Sequence, residues 1–389
     1  MNRAIGWKAG WKSQRRAVVL TGFAVTLALA GAAPVAIAQT IKVGVVLPIT
    51  SVLAPYGTPF VEALNIAVDE ANRAGGVNGR KIELVVEDSQ ASNTVAINAL
   101  NKVLQSNPVT IFGPALGTQI LAMMPMTERE KVPLIGGPST RRVTQQGAKY
   151  FFRNSTHDAI GKENWTRYLV DGLGKKKIGI MHVANEWGYS GRDNTAAFLE
   201  KLYGLKPVSI ASYQPTDKDL TAQILQMQKD GADAIVVQGH PVDEALMIKQ
   251  ARQLNVQLPV IASGSLCIAY LRDLVSAAEL AGHHCEGPDV IPPLNERPQM
   301  KTFVEAYKKK SGFNPDIYAT FYYDGMSMLV AIMKKYGVDR DKIRQGFAEM
   351  SYDGVVGTYK ADEEGNLWHN AVVMQFQPGG GVKVVRRYK

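Results

Sequence analysis

Between residues 41 and 262 the chain alternates short apolar runs with amphipathic stretches of helical period, and few architectures accept that pattern. Strands are expected at 41–48, 81–87, 109–112, 132–135, 149–152, 177–182, 207–211, 234–238 and 259–262. Helices are expected at 57–74, 94–104, 159–172, 193–203, 220–230 and 243–254. In the first helix Val61, Leu64, Val68 and Ala71 make one apolar stripe, and Gly75-Gly76 stops it. Alternation of this kind builds parallel sheets covered by helices on both faces, an α/β class. A long helical stretch is expected from about 300 to 350, then a strand-rich tail at 355–359, 371–376 and 382–385. A length of 389 residues suits about two domains. No Pro- or Ser-rich linker separates them, so the chain is expected to cross between domains several times.

The formal charge of +9 raises the question of nucleic acid. Five of the 44 basic residues, and none of the 35 acidic ones, lie in residues 1–38, so the remainder carries only +4. The basic runs do not exceed the triplets Lys175-Lys176-Lys177 and Lys308-Lys309-Lys310, and no electrostatic footprint for DNA or RNA results. Residues 1–38 read as an export signal: a basic stretch to Arg16, an apolar run from Ala17, and Ala36-Ile37-Ala38 as a cleavage site. Residues 17–38 are also long enough to cross a bilayer, and Arg15-Arg16 is compatible with twin-arginine export. Cleavage would start the mature chain at Gln39, outside the inner membrane. In such a compartment Cys267 and Cys285 are expected to be bridged, with two free buried thiols as the alternative.

Enzymatic signatures are missing from the sequence. There is no G-x-S-x-G elbow, no G-x-x-x-x-G-K-[ST] loop, no H-E-x-x-H and no G-x-G-x-x-G after a strand. Adjacent residues on one strand cannot all face a single ion, so His283-His284-Cys285 is not expected to hold a metal. Asp69-Glu70 and Glu363-Glu364 read as solvated carboxylates. No catalytic residue and no cofactor is expected.

The stretches GGVNGRKIELVVED (75–88), VTIFGPALGTQ (109–119), VPLIGGPST (132–140), KKIGIMHVANEWGYSGRDN (176–194), DAIVVQGHPVDEALMIKQARQL (233–254) and AGHHCEGPDVIPP (281–293) resemble the periplasmic solute-binding proteins of branched-chain amino acid ABC transporters. The resemblance covers about residues 41–377. It implies a type I periplasmic binding fold: two doubly wound parallel-sheet lobes with interleaved crossovers near Asn154, Gly287 and Gly354. One lobe would take 39–156 plus 287–353, and the other 157–286 plus 354–389. It also implies a small-molecule ligand and delivery to an inner-membrane permease with cytoplasmic ATPase subunits. A monomer is expected. A ligand sensor of the same fold is the alternative role, and an exported hydrolase lacks its nucleophile.

Ligands of such sheets lie beyond the carboxyl ends of the strands, so the loops there are the candidates. Tyr56 stands where the family sets an aromatic against the ligand, although it could simply pack on its own helix. The loop with Ala115, Leu116, Gly117 and Thr118 opens a helix whose free N–H groups suit a carboxylate. The family seats a carboxylate there and at Thr140, in the loop with Pro138 and Ser139. Gly117 replaces a frequent serine, leaving Thr118 as a possible hydroxyl; Thr140 could instead cap the following turn. Trp187, placed at a loop tip, falls where the family has tyrosine and reads as a stacking wall or a packing residue. His240 and Gly264 lie where amino-acid-binding members carry an aromatic and a carboxylate. Without that carboxylate, an aromatic or aliphatic acid lacking an amino group is expected over an amino acid, unless Glu186 or Asp324 reaches across; a branched-chain amino acid is the alternative.

Overall fold

A computed structural model describes residues 39–51, 53–268, 274–287, 297–316 and 318–388. The export signal and its cleavage site lie outside these residues. The first sheet holds β1 (Ile41–Leu47), β2 (Ile82–Asp88), β3 (Ile111–Phe112), β4 (Leu134–Gly136) and β5 (Phe151–Arg153), in the order β2-β1-β3-β4-β5 and parallel throughout. Helices α1 (Ala54–Arg73), α2 (Asn93–Gln105) and α3 (Gly117–Arg129) connect its strands. Side chains alternate across β1. Val43, Val45 and Leu47 enter the core beneath α1, whereas Val46 enters the core beneath α2 and α3. Burial on both faces explains why the strand reads as one continuous apolar run.

The second sheet repeats that winding with β6 (Ile178–Val183), β7 (Ser209–Tyr213), β8 (Ala234–Gln238), β9 (Val260–Ala262) and β10 (His284–Gly287). Its connecting helices include α4 (Asp158–Arg167), which leads into β6, α5 (Glu186–Tyr203), α6 (Thr221–Lys229), α7 (Pro241–Gln253) and the short α8 (Ala277–Leu280). Ile178 and Ile180 face one core, Met181 and Val183 the other. Cys267 and Cys285 are joined in a disulfide, with Cα atoms 5.9 Å apart, and His284 lies against Tyr168 at 3.2 Å.

The chain then supplies α9 (Pro298–Ser311), α10 (Ala319–Tyr336) and α11 (Arg340–Glu349), a hairpin of β11 (Tyr352–Asp353) with β12 (Thr358–Tyr359), and finally β13 (Val372–Phe376) and β14 (Val382–Arg387). The last two strands complete a sheet ordered β14-β13-β10-β9-β8-β6-β7, with β13 and β14 antiparallel. The long helical stretch expected over about 300–350 is made of three helices. Gly312 ends α9 at φ 84°, Gly337 follows α10 at φ 107°, and Asp339 starts α11 by accepting from the N–H groups of Asp341 and Lys342. The strand expected at 355–359 is mostly the turn of the hairpin.

The expected exit from the first lobe at Gly354 also differs. Val355, Val356, Tyr359, Leu367 and Trp368 pack in the core of the first sheet with Phe321 and Phe347. Arg153 N–H donates to Gly365 O at 2.9 Å, and Leu367 N–H to Arg153 O at 2.8 Å. Only from Ala371 does the chain join the second sheet. Where α4 leaves the first lobe, Lys162 is buried with Glu286 at 2.7 Å and Asp158 at 3.6 Å. Burial alone would lower its pKa, but Glu286 and Asp158 raise it, so the ammonium stays charged.

Candidate ligand-binding site

Each sheet reverses its winding direction once, between β1 and β3 in the first and between β6 and β8 in the second, and such reversals open a crevice at the strand ends. The two crevices face one another across a shared cavity. Pro48 follows β1, Ala115 and Leu116 follow β3, Gly137 to Thr140 follow β4, Trp187 follows β6, His240 follows β8 and Ser265 follows β9; all line it, with Leu53, Tyr56, Phe60, Gly117 and Tyr318. The space open to the centres of water molecules is about 70 Å3.

On the first-lobe side, α3 begins at Gly117 without a side-chain cap; Gln119 N–H donates to Leu116 O at 3.1 Å, which leaves the N–H groups of Gly117 and Thr118 to partners outside the helix. Thr140 stands directly opposite. Its hydroxyl is buried and has no hydrogen-bond partner among the described residues. A Cβ at position 117 would meet Thr140 Oγ1 at 2.5 Å, so glycine there is the condition for the threonine hydroxyl to occupy this corner. A hydroxyl and a helix N-terminus that converge in an apolar cavity make a seat for an anionic oxygen pair.

The opposite wall is aromatic and neutral. Trp187 stacks on His240 with centroids 4.9 Å apart, and its Nε1–H donates to Ser139 Oγ at 2.7 Å. Burial brings the His240 pKa down to about 4, leaving the ring neutral at pH 7. From the first-lobe side Tyr56 donates to Ser265 Oγ at 2.6 Å and packs edge-on to Tyr318, and burial raises both phenols well above their ordinary value. The bonds Tyr56–Ser265 and Trp187–Ser139, with the ion pair Arg142–Glu186 at 3.4 Å, join the lobes directly. Among the described residues, no Asp, Glu, Lys or Arg lines the cavity.

Of the residues singled out from sequence, the fold brings Tyr56, Ala115, Leu116, Gly117, Pro138, Ser139, Thr140, Trp187 and His240 to this cavity. Thr118 and Gly264 do not line it. Thr118 is half-buried in the first turn of α3, and the Tyr318 hydroxyl fills the space a side chain at 264 would need, so Ser265 faces the cavity in its place. Trp187 is not at a loop tip: Asn185 accepts from Gly188 N–H at 2.9 Å and starts α5 at Glu186, placing Trp187 in the first helical turn. Glu186 is taken by Arg142, and Asp324 is buried in the first-lobe core, accepting from Val355 N–H, Val356 N–H and Tyr359 Oη. Sequence reasoning missed Pro48, Leu53, Phe60, Gly137 and Tyr318. Phe60 was visible as the aromatic one helical turn beyond Tyr56; nothing local marked Tyr318.

A family model described as periplasmic binding protein matches residues 40–381. The leucine-, isoleucine-, valine-, threonine- and alanine-binding protein of Pseudomonas aeruginosa is 23% identical over 346 residues, covering 88% of this chain and 91% of that protein. The branched-chain amino acid transporter substrate binding protein of Streptococcus pneumoniae, solved with isoleucine, is similar with a TM-score of 0.81 at 24% identity, covering 90% of this chain and 100% of the other. A solute binding protein from R. palustris, solved with benzoate, gives 0.81 at 18% identity, with 90% and 96% covered. On a match spanning most of its length, and on two doubly wound lobes with a cavity between their strand ends, the chain belongs to the periplasmic binding protein family, whose members serve ABC transporters by binding solute and not as enzymes.

Proposed function

We propose that this protein captures a small organic acid without an amino group in the periplasm and presents it to an inner-membrane permease driven by cytoplasmic ATPase subunits. Export would remove residues 1–38. The capturing lobes would be 39–153 with 297–368, and 158–287 with 371–388, closing by rotation at the three crossings between them.

One observation carries the ligand class. The buried, unpartnered Thr140 hydroxyl faces the N-terminus of α3 in a cavity that no acidic residue among the described ones lines. An ammonium group buried there without a charge partner would cost several kcal/mol, whereas a carboxylate would be met by donors. Glu244, four positions after His240, does not line the cavity: its Oε1 accepts from Gly239 N–H, Ser263 N–H and Ser263 Oγ, its Oε2 is buried without a partner among the described residues, and burial raises its pKa well above the usual carboxyl range. Tyr56, Phe60, Trp187 and Tyr318 suit the flat or apolar remainder of such an acid.

Isothermal titration of the mature chain with benzoate, 3-phenylpropanoate, benzamide, leucine and valine tests the reading. At least one acid should bind and, at about 100 times its Kd, raise stability by roughly 2.7 kcal/mol. Thr140→Val should weaken that acid by about tenfold. Micromolar binding of leucine or valine with no response to the acids overturns the proposal.

A further inference from the structure

Arg153 ends β5, is fully buried, and does not line the cavity. Its guanidinium is directed at the back of the loop that does. Nη1 donates to Ser139 O at 2.8 Å, Nη2 to Thr140 O at 2.9 Å and to Thr144 Oγ1 at 3.3 Å. Ser139 O also accepts from Asp158 N–H at 2.7 Å. Two consecutive carbonyl oxygens of the ligand loop are therefore turned away from the cavity and held by a planar fork. On the cavity side the same two residues present Ser139 Oγ, which receives the Trp187 indole, and the free Thr140 hydroxyl. The hydrogen bonds from Arg153 go to main-chain and hydroxyl oxygens; burial brings its pKa down to about 10 while Asp158, Glu364 and Asp362 hold it up, so the guanidinium stays charged behind the seat with those carboxylates as neighbours. His157 next to it has its pKa brought to about 3, first by burial and then by Arg153 and Arg141.

We propose that Arg153 is the positioning residue of the anion seat: by holding the Ser139 and Thr140 carbonyls behind the loop, it leaves donors facing the ligand and sets a preference for a carboxylate over its neutral amide. The selectivity half of this rests on the organic-acid reading above; the loop half does not.

The test compares the mature chain with Arg153→Lys and Arg153→Met. Hydrogen exchange of the amides at 139–146 is read first, against β1 and β6 in the same molecule. Loss of three charge-assisted bonds should speed exchange at 139–146 by roughly 10- to 100-fold in Arg153→Met, and less in Arg153→Lys, with β1 and β6 within about twofold of wild type. The ratio of benzamide Kd to benzoate Kd is read second and should fall by about tenfold or more in Arg153→Met. Should that variant not fold, Arg153→Lys, which keeps the charge without the fork, carries both readouts. Unchanged exchange at 139–146, or equal acceleration across β1 and the loop, overturns the positioning role. An unchanged amide-to-acid ratio overturns the selectivity. Where wild type binds 3-phenylpropanoate and not benzoate, the ratio is taken with 3-phenylpropanamide; if it binds neither acid, the organic-acid reading falls, and the exchange result still decides what Arg153 does.

Discussion

Replacing Gly117 by serine should damage the seat through Thr140 and not through the helix. A Cβ at 117 would lie 2.5 Å from Thr140 Oγ1 and 2.8 Å from Thr140 Cβ. Ordinary contact starts near 3.4 Å, so one side must retreat by close to an ångström. Thr140 has little room to do so, being 1% exposed, with its carbonyl tied to Arg153. Overpacking of this kind costs about 1–3 kcal/mol. Removing a glycine from a helical position returns about 0.4–1 kcal/mol by stiffening the unfolded chain. The clash wins, and Gly117→Ser should lose about 1–2 kcal/mol net. Thr140→Ala removes the Oγ1 contact at 2.5 Å but keeps the Cβ at 2.8 Å, so the double variant should recover only part of the loss, with a coupling energy of about 0.5–1 kcal/mol. Urea unfolding of the mature chain, followed by far-ultraviolet circular dichroism, gives all four corners of the cycle. A Gly117→Ser chain within about 0.5 kcal/mol of wild type, or a strictly additive double variant, refutes the claim that the two residues share one space.

Three further outcomes are expected. Burial lifts Asp324 to about 7, so its contribution is fully present below the unfolded value near pH 4 and is lost as pH rises toward 7. Buried His157 and His240, with lowered pKa values, act in the opposite sense over part of that range, so the measurement is a difference. Relative to Asp324→Asn, wild type should lose roughly 1 kcal/mol per pH unit between about pH 4 and 7, and parallel profiles count against the argument. Lys162→Met leaves Asp158 and Glu286 buried without their cation and should cost about 3–5 kcal/mol in urea, with a loss under about 1 kcal/mol refuting an uncompensated charge. Denatured, unreduced protein should titrate no thiol, and Cys267→Ser with Cys285→Ser should cost about 3 kcal/mol in the chain-entropy picture.

The sheets were legible because their strands are buried on both faces. Val43, Val45, Val46 and Leu47 are all fully buried, and such a run looks the same whichever sheet order it joins. Helix starts were less so, since they turn on single capping bonds: the side chain of Asn185 on Gly188 N–H decides that α5 begins at Glu186 and not near 193. The third crossing was the least legible. Trp368 packs at 5.8 Å on Phe321 and at 5.1 Å on Tyr359, and nothing in a run of aromatic and apolar residues says which of two similar cores will receive it.

The cavity shows the same division between topology and rotation. Once the strands are assigned, the loops after β1, β3, β4, β6, β8 and β9 follow from the winding, which is why most of the singled-out residues meet there. Which residue of each loop turns inward is set by contacts over long sequence distances. Ser265 faces Tyr56, 209 positions away, and Tyr318 fills the space beside Gly264, so the neighbour of the expected residue takes the position. Thr118 and Thr140 both carry a hydroxyl near the start of α3, but only Thr140 lines the cavity, because Gly117 makes room for it and Arg153 fixes its carbonyl on the far side. A seat made this way needs no charged side chain in the cavity. Its preference comes from the orientation of two peptide groups, and that orientation is written in a buried arginine at the end of the strand beside the loop.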